Sequence, residues 1–216
     1  MSSPLPEHAR FVPARKGEGF HEDRGSRFLA FAFEVEDEGS FQKELAALRA
    51  LHPKARHHCW AWRLGEAHRF QDDGEPGGTA GRPIFQAIQA SGLDRIGIVV
   101  VRYFGGVKLG TGGLARAYGT AATRALEAAG RRIEEERLGV WLALPYDLAR
   151  LRGEIGRLCP GLVWEKEGFS ETGWRGEGSL FLREKPLWER FWREKGSGRL
   201  RWGEWGTHSG KGPSQE

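Results

Sequence analysis

Two stretches hold the side chains best able to do chemistry. The first places Asp72, Asp73 and Glu75 around Gly74, ahead of Pro76, with Thr79 and Arg82 close behind. Three carboxylates at that density suit a hard cation such as magnesium. They also suit turn and cap roles, or pairing with Arg82 or Arg102, and the EF-hand spacing is absent. The second stretch runs from Arg102 and Tyr103 through Gly105, Gly106, Lys108, Gly110, Thr111, Gly112 and Gly113 to Arg116. Its glycines leave backbone amides unobstructed and lead into a helix, whose first free N–H groups and dipole favour an anion. Arg102, Lys108 and Arg116 add positive charge. A phosphate of RNA, of a nucleotide or of a phosphorylated partner fits such a site. The stretch is no Walker A loop, since no Gly-Lys-Ser/Thr closes it, and Gly110-Thr111-Gly112 matches only part of a dinucleotide fingerprint. Tight turns and close packing are the alternative use of the same glycines. If the two stretches meet in space, acid and base line one groove.

Other constellations are weaker. His57, His58 and Cys59 invite a zinc reading, but alternation on a strand leaves only His57 and Cys59 on one face. Zinc needs at least three protein ligands. A Cys–His nucleophile pair has no identifiable orienting residue. The sequence therefore assigns no catalytic residue, no metal and no cofactor.

The elements that position these residues follow from hydrophobic period. Arg27 to Val35 and Arg56 to Leu64 alternate as strands, and Ile96 to Val101 is apolar on both faces, as a central strand should be. Ser40 is a candidate cap for a helix from Phe41 to Leu51. Gly65 to Gly78 reads as a loop. A short helix with Pro83 in its first turn stops at Gly92. Arg102 to Gly113 reads as a glycine-rich loop before a helix from about Gly113 to Ala129, whose small residues allow close approach to a sheet. From Leu138 the order is strand, helix, strand, strand, helix, strand, ending near Trp205: the ferredoxin-like βαββαβ plan. Seven of the nine tryptophans lie from Trp141 onward. They could form a base-stacking platform, although Trp188 and Trp192, one helical turn apart, point to core packing, and the aromatic RNP1 signature is missing. Residues 1–19 read as a flexible lead and 206–216 as a disordered tail.

Composition narrows the class. The 216 residues, 39% hydrophobic, allow two modest domains, and the net charge of +4 helps contact with polyanions. No apolar run approaches membrane-spanning length, and the polar start is no signal peptide; the expected location is the cytoplasm, with no membrane partner. Two cysteines a hundred residues apart, Cys59 and Cys159, read as free thiols. The absence of asparagine and the single methionine suggest a thermophile.

Three segments go beyond pattern: ARHHCWAW at 55–62, DDGEPGGTAG at 72–81 and VVVRYFGGVKLGTGGLARAYG at 99–119. In order and spacing they resemble the YigZ/IMPACT family across about residues 20–130. The resemblance implies an α+β protein with two domains. Residues 20–135 would form a domain like the second domain of ribosomal protein S-five. Residues 137–205 would form a ferredoxin-like domain similar to the last domain of elongation factor G. It further implies a link to translational control, which in the eukaryotic branch works by competing for the activator of an amino-acid-starvation kinase. The expectation is a non-catalytic binding protein that takes RNA or another anionic ligand at the glycine-rich groove, with RNA, the ribosome or a translation-regulatory protein as partner. The alternatives are an enzyme acting on a nucleotide or phosphorylated small molecule, and a protein-interaction module without nucleic acid.

Overall fold

The structure, a computed structural model, describes residues 8–195 and 200–208. Phe11–Ile133 form one compact unit, and the chain from Glu134 onward, with residues up to Arg10, forms another. Both are α+β.

In the first unit the strands are β1 (Ala9–Pro13), β2 (Gly17–Asp23), β3 (Ser26–Glu34), β4 (His57–Leu64), β5 (Ala67–Gln71) and β6 (Ile96–Tyr103). Its helices are α1 (Glu38–Leu51), α2 (Gly81–Ser91) and α3 (Gly110–Ala129). Strands β2 to β6 make one antiparallel sheet in the order β2-β3-β6-β4-β5, and β1 pairs separately with β7 (Arg131–Glu135). The centre of the sheet falls on β6, the strand with apolar residues on both faces. Ile96, Ile98 and Val100 point to a core shared with α2 and α3, while Val99 and Val101 meet Phe41, Leu45 and Leu48 of α1. Arg102 continues the first of these faces and Tyr103 the second, by alternation.

Several expectations shift. Residues 9–13 and 17–19, read as part of a flexible lead, lie in strands β1 and β2, and residues 1–7 lie outside the described residues. Gly17 and Gly19 explain the second strand. A Cβ on either would fall 2.2 Å from the Ala125 oxygen or 2.4 Å from the Ala121 oxygen, so these glycines let β2 lie directly on α3. The Gly65–Gly78 loop contains β5, an exposed edge strand with no burial alternation to betray it. Helix α1 is capped by Asp37, whose carboxylate accepts from the Ser40 amide at 2.6 Å, while Ser40 Oγ accepts from the Asp37 amide at 3.1 Å. Ser40 is thus the third residue of a capping box and not the cap.

The second unit contains β8 (Arg137–Pro145), α4 (Leu151–Leu158), β9 (Val163–Ser170), β10 (Gly173–Phe181), α5 (Lys185–Lys195) and β11 (Arg201–His208). The strand order β11-β8-β10-β9 is the ferredoxin-like arrangement. Leu138, Val140, Leu142 and Leu144 pack against Leu151, Ile155, Trp188 and Trp192 in one core. Gly206 to His208, assigned to a disordered tail from sequence, continue β11; residues 209–216 lie outside the described residues. Among the described residues no helix is long and apolar enough to cross a membrane.

Candidate functional site

The two loops meet, and the meeting point is Glu75. Strands β4 and β6 pair so that His57 lies opposite Arg102. Arg102 Nη1 reaches Glu75 Oε1 at 2.6 Å, with only 7% and 3% of the two side chains exposed. Tyr118, on the buried face of α3, donates its hydroxyl to the same oxygen at 2.8 Å. Cys59 Sγ lies 3.2 Å from that hydroxyl and 3.0 Å from the Asp72 carbonyl. His57 Nδ1 lies 2.8 Å from the Asp73 carbonyl oxygen. A carbonyl only accepts, so Nδ1 carries the proton and Nε2 faces Glu75 at 4.0 Å.

The rest of the acidic loop is spent on its own architecture. Asp72 accepts from the amides of Gly78, Ala80 and Gly81 at 2.8, 3.0 and 2.8 Å, closing the start of α2. Asp73 accepts from the His58 amide at 2.7 Å and pairs with Arg49 at 3.2 Å. Its φ of 45° is one that an aspartate tolerates better than most residues. Thr79 Oγ1 donates to the Pro76 carbonyl at 2.6 Å. Turn and cap chemistry therefore accounts for Asp72, Asp73 and Thr79, and Glu75 alone of the three carboxylates faces the second loop's arginine. Among the described residues no group of three His, Cys, Asp or Glu side chains is placed to hold a metal ion.

Beside the Arg102–Glu75 pair lies a groove of about 560 Å³, walled by Arg56, His57, Phe104, Lys108, Leu109 and the first turn of α3, among others. The second stretch divides between strand, loop and helix. Arg102 and Tyr103 end β6, and Gly110, Thr111, Gly112 and Gly113 already belong to α3, so the true loop is only Phe104 to Leu109. The helix starts earlier than Gly113 because Gly110, at φ 72°, makes the turn into it. No side chain caps this helix: Leu109 stands at the cap position. Its first amides are thus left for solvent or a ligand. Burial leaves Arg102 Nε without a hydrogen-bond partner, although its guanidinium lies 5.6 Å from the Phe104 ring centre and lines the groove. A buried unpaired cationic N–H beside a free helix start fits an anion.

Other predicted residues fall elsewhere. Tyr103 turns to the opposite face of the sheet, where its hydroxyl meets His52 Nδ1 at 3.0 Å. Arg116 lines a separate cleft with Pro83 and Arg124. Arg82 is exposed on the first turn of α2 and is not among the groove's lining residues. Gly105 serves packing: a Cβ there would sit 2.0 Å from the Gly25 backbone, and its amide donates to Ser26 Oγ at 3.1 Å. Gly106, at φ 88°, makes a turn. Sequence reasoning took His57 and Cys59 only as a weak zinc or nucleophile reading, and it missed Tyr118. The one available signal for it was Tyr118 itself, a large polar-tipped residue on a helix face otherwise made of alanine and leucine. Burial pushes the Tyr118 hydroxyl and the Cys59 thiol far above their usual ranges, so both stay protonated at neutral pH and neither is a ready nucleophile.

A family model described as the Impact N-terminal domain matches residues 24–126, the span that holds the whole groove. The chain is 44% identical over 161 residues to a Thermus thermophilus protein called an IMPACT family member in the pol 5' region, covering 74% of this chain and 84% of the relative. It is 42% identical over 120 residues to the IMPACT family member YigZ of Escherichia coli, covering 53% of this chain and 59% of that relative.

 A crystal structure described as that of a hypothetical protein superposes with a TM-score of 0.67 at 28% identity, covering 90% of this chain and 96% of that one.

Proposed function

The chain belongs to the IMPACT family, and from that premise we propose that its first unit is a binding module that holds a phosphate group of RNA in the groove between Arg102 and the start of α3. The observation that carries this reading is the buried Arg102 side chain. Glu75 balances its charge through Nη1, its buried Nε has no hydrogen-bond partner, and the residue lines the groove. Lys108 and Arg56 at the rim supply further positive charge, and the uncapped α3 start supplies N–H donors. The translational role implied by the family resemblance is part of the same proposal.

The test is a titration of fluorescent RNA with full-length protein at low and at physiological salt. Binding should weaken steeply with salt, as counterion release requires. Lys108→Glu, an exposed groove residue, should weaken it, and Arg116→Glu, in a separate cleft, should matter much less. Equal affinity in wild type and Lys108→Glu would sink the groove as an RNA site. Competition by a mononucleotide at the same residues would move the assignment to a small phosphorylated ligand.

A further inference from the structure

The second unit carries a different surface. On β8 the residues Leu138, Val140, Leu142 and Leu144 face the core that α4 and α5 cover. By alternation Gly139, Trp141 and Ala143 face the other side of the sheet. Register puts Trp141 opposite Gly203 of β11 and Gly139 opposite Trp205. Each tryptophan lies across the glycine it opposes. A Cβ on Gly139 would fall 2.3, 2.5 and 2.7 Å from three neighbouring atoms of the Trp205 ring, and one on Gly203 would fall 2.4 Å from Trp141 Nε1. Three adjacent ring atoms at nearly equal distances mean that the Trp205 ring lies along the sheet and does not stand on edge. Both tryptophans remain partly exposed.

Charge surrounds this aromatic floor. Arg175 and Arg201 flank Ala143 from the neighbouring strands and line a cavity of about 380 Å³. The Arg175 guanidinium lies 5.9 Å from the Trp141 ring centre and 2.9 Å from Glu177. Lys166 lies opposite Glu177 on β9. Glu165, bonded to Ser179 at 3.2 Å, adds a second carboxylate. Flat aromatic rings flanked by arginines match the chemistry of an unpaired polynucleotide, whose bases stack and whose phosphates need cations.

We propose that this open sheet face binds single-stranded nucleic acid, with bases stacked on Trp141 and Trp205 and phosphates at Arg175 and Arg201. The proposal does not rest on the groove of the first unit, because it concerns other residues and reads bases as well as phosphates.

The experiment measures anisotropy of a fluorescein-labelled oligouridylate 12-mer with full-length protein at low salt, beside an abasic strand of equal length. Trp141→Ala should weaken oligouridylate binding about 10-fold, within the range of one lost stack. Arg201→Glu, at an exposed position that leaves the tryptophans in place, should also weaken it several-fold. The abasic strand should bind wild type at least about 10-fold more weakly than oligouridylate. Oligothymidylate should bind about as well as oligouridylate, since stacking ignores the sugar. Equal binding of base-bearing and abasic strands overturns the proposal, as does wild-type affinity in both variants. Loss in Lys108→Glu with none in Trp141→Ala or Arg201→Glu also overturns it while sparing the groove; the converse pattern supports it while removing the groove.

Discussion

The Arg102–Glu75 pair offers the sharpest test of how the groove is held. Replacing Glu75 with leucine leaves a buried guanidinium without its counter-charge and takes an acceptor from Tyr118. Removing one partner of a buried pair costs about 3–5 kcal/mol. Both side chains are nearly inaccessible, so solvent screening gives little relief. At about 2.1 cal/mol/K of unfolding entropy per residue, a unit the size of Phe11–Ile133 has about 0.26 kcal/mol/K, so Tm should fall by about 12–20 °C. Arg102→Met should destabilise by a similar mechanism, leaving a buried carboxylate. The double variant Glu75→Leu/Arg102→Met should be more stable than the sum of the single losses predicts, by about 2 kcal/mol or more. Urea denaturation of the four proteins completes the cycle. Additivity of the single losses to within about 0.5 kcal/mol would refute the reasoning, because it would mean the two charges do not depend on one another.

Four further outcomes follow from local geometry and burial. Asp72→Ala strips three amides at the start of α2 of their acceptor and should cost about 1–2 kcal/mol in urea denaturation. Gly112→Ala should stabilise by up to about 1 kcal/mol, since the position is helical and an added Cβ meets nothing within 4 Å. Gly105→Ala, forced against the Gly25 backbone, should instead destabilise by about 1–3 kcal/mol, so a shared sign in thermal melts would contradict the packing account. His58 gives a pH dependence: desolvation lowers its pKa in the folded chain below the usual 6.5. The unfolded chain then holds more protons below that pH, so stability is full above about 6.5 and falls as pH drops toward the folded value. His58→Gln should flatten that acid-side slope.

What sequence could show was what period and backbone chemistry encode. The two-faced apolar run Ile96–Val101 gave the central strand, Gly92 at φ 69° ends α2, and the alternation around Leu138–Leu144 gave the first ferredoxin-like strand. What it could not show depended on neighbours. Strand β5 is exposed at every position and exists because β4 offers it an edge. Arg102, Tyr103 and Arg116 are equally cationic or polar in the sequence, yet alternation on β6 and rotation about α3 send only Arg102 into the groove. The register that sets His57 across from Arg102 is a property of paired strands and is invisible in either strand alone.

A buried arginine is a poor way to hold a fold together. Exchange of a buried ion pair for well-packed apolar residues is often neutral or stabilising, and the surrounding core, with Ile98, Val100, Ala117 and Tyr118, is already apolar and closely packed. Arg102 therefore contributes something that a methionine of similar volume would not. Its Nη1 is committed to Glu75, but Nε is desolvated and unpaired, a state that carries a cost for a charged group. A phosphate oxygen entering beside it would supply the missing acceptor, the charge being already balanced by Glu75. On that reasoning Arg102→Met combined with Glu75→Leu should keep the fold and lose salt-dependent RNA binding at the groove. Retention of that binding in the folded double variant would mean that the buried arginine serves the structure alone.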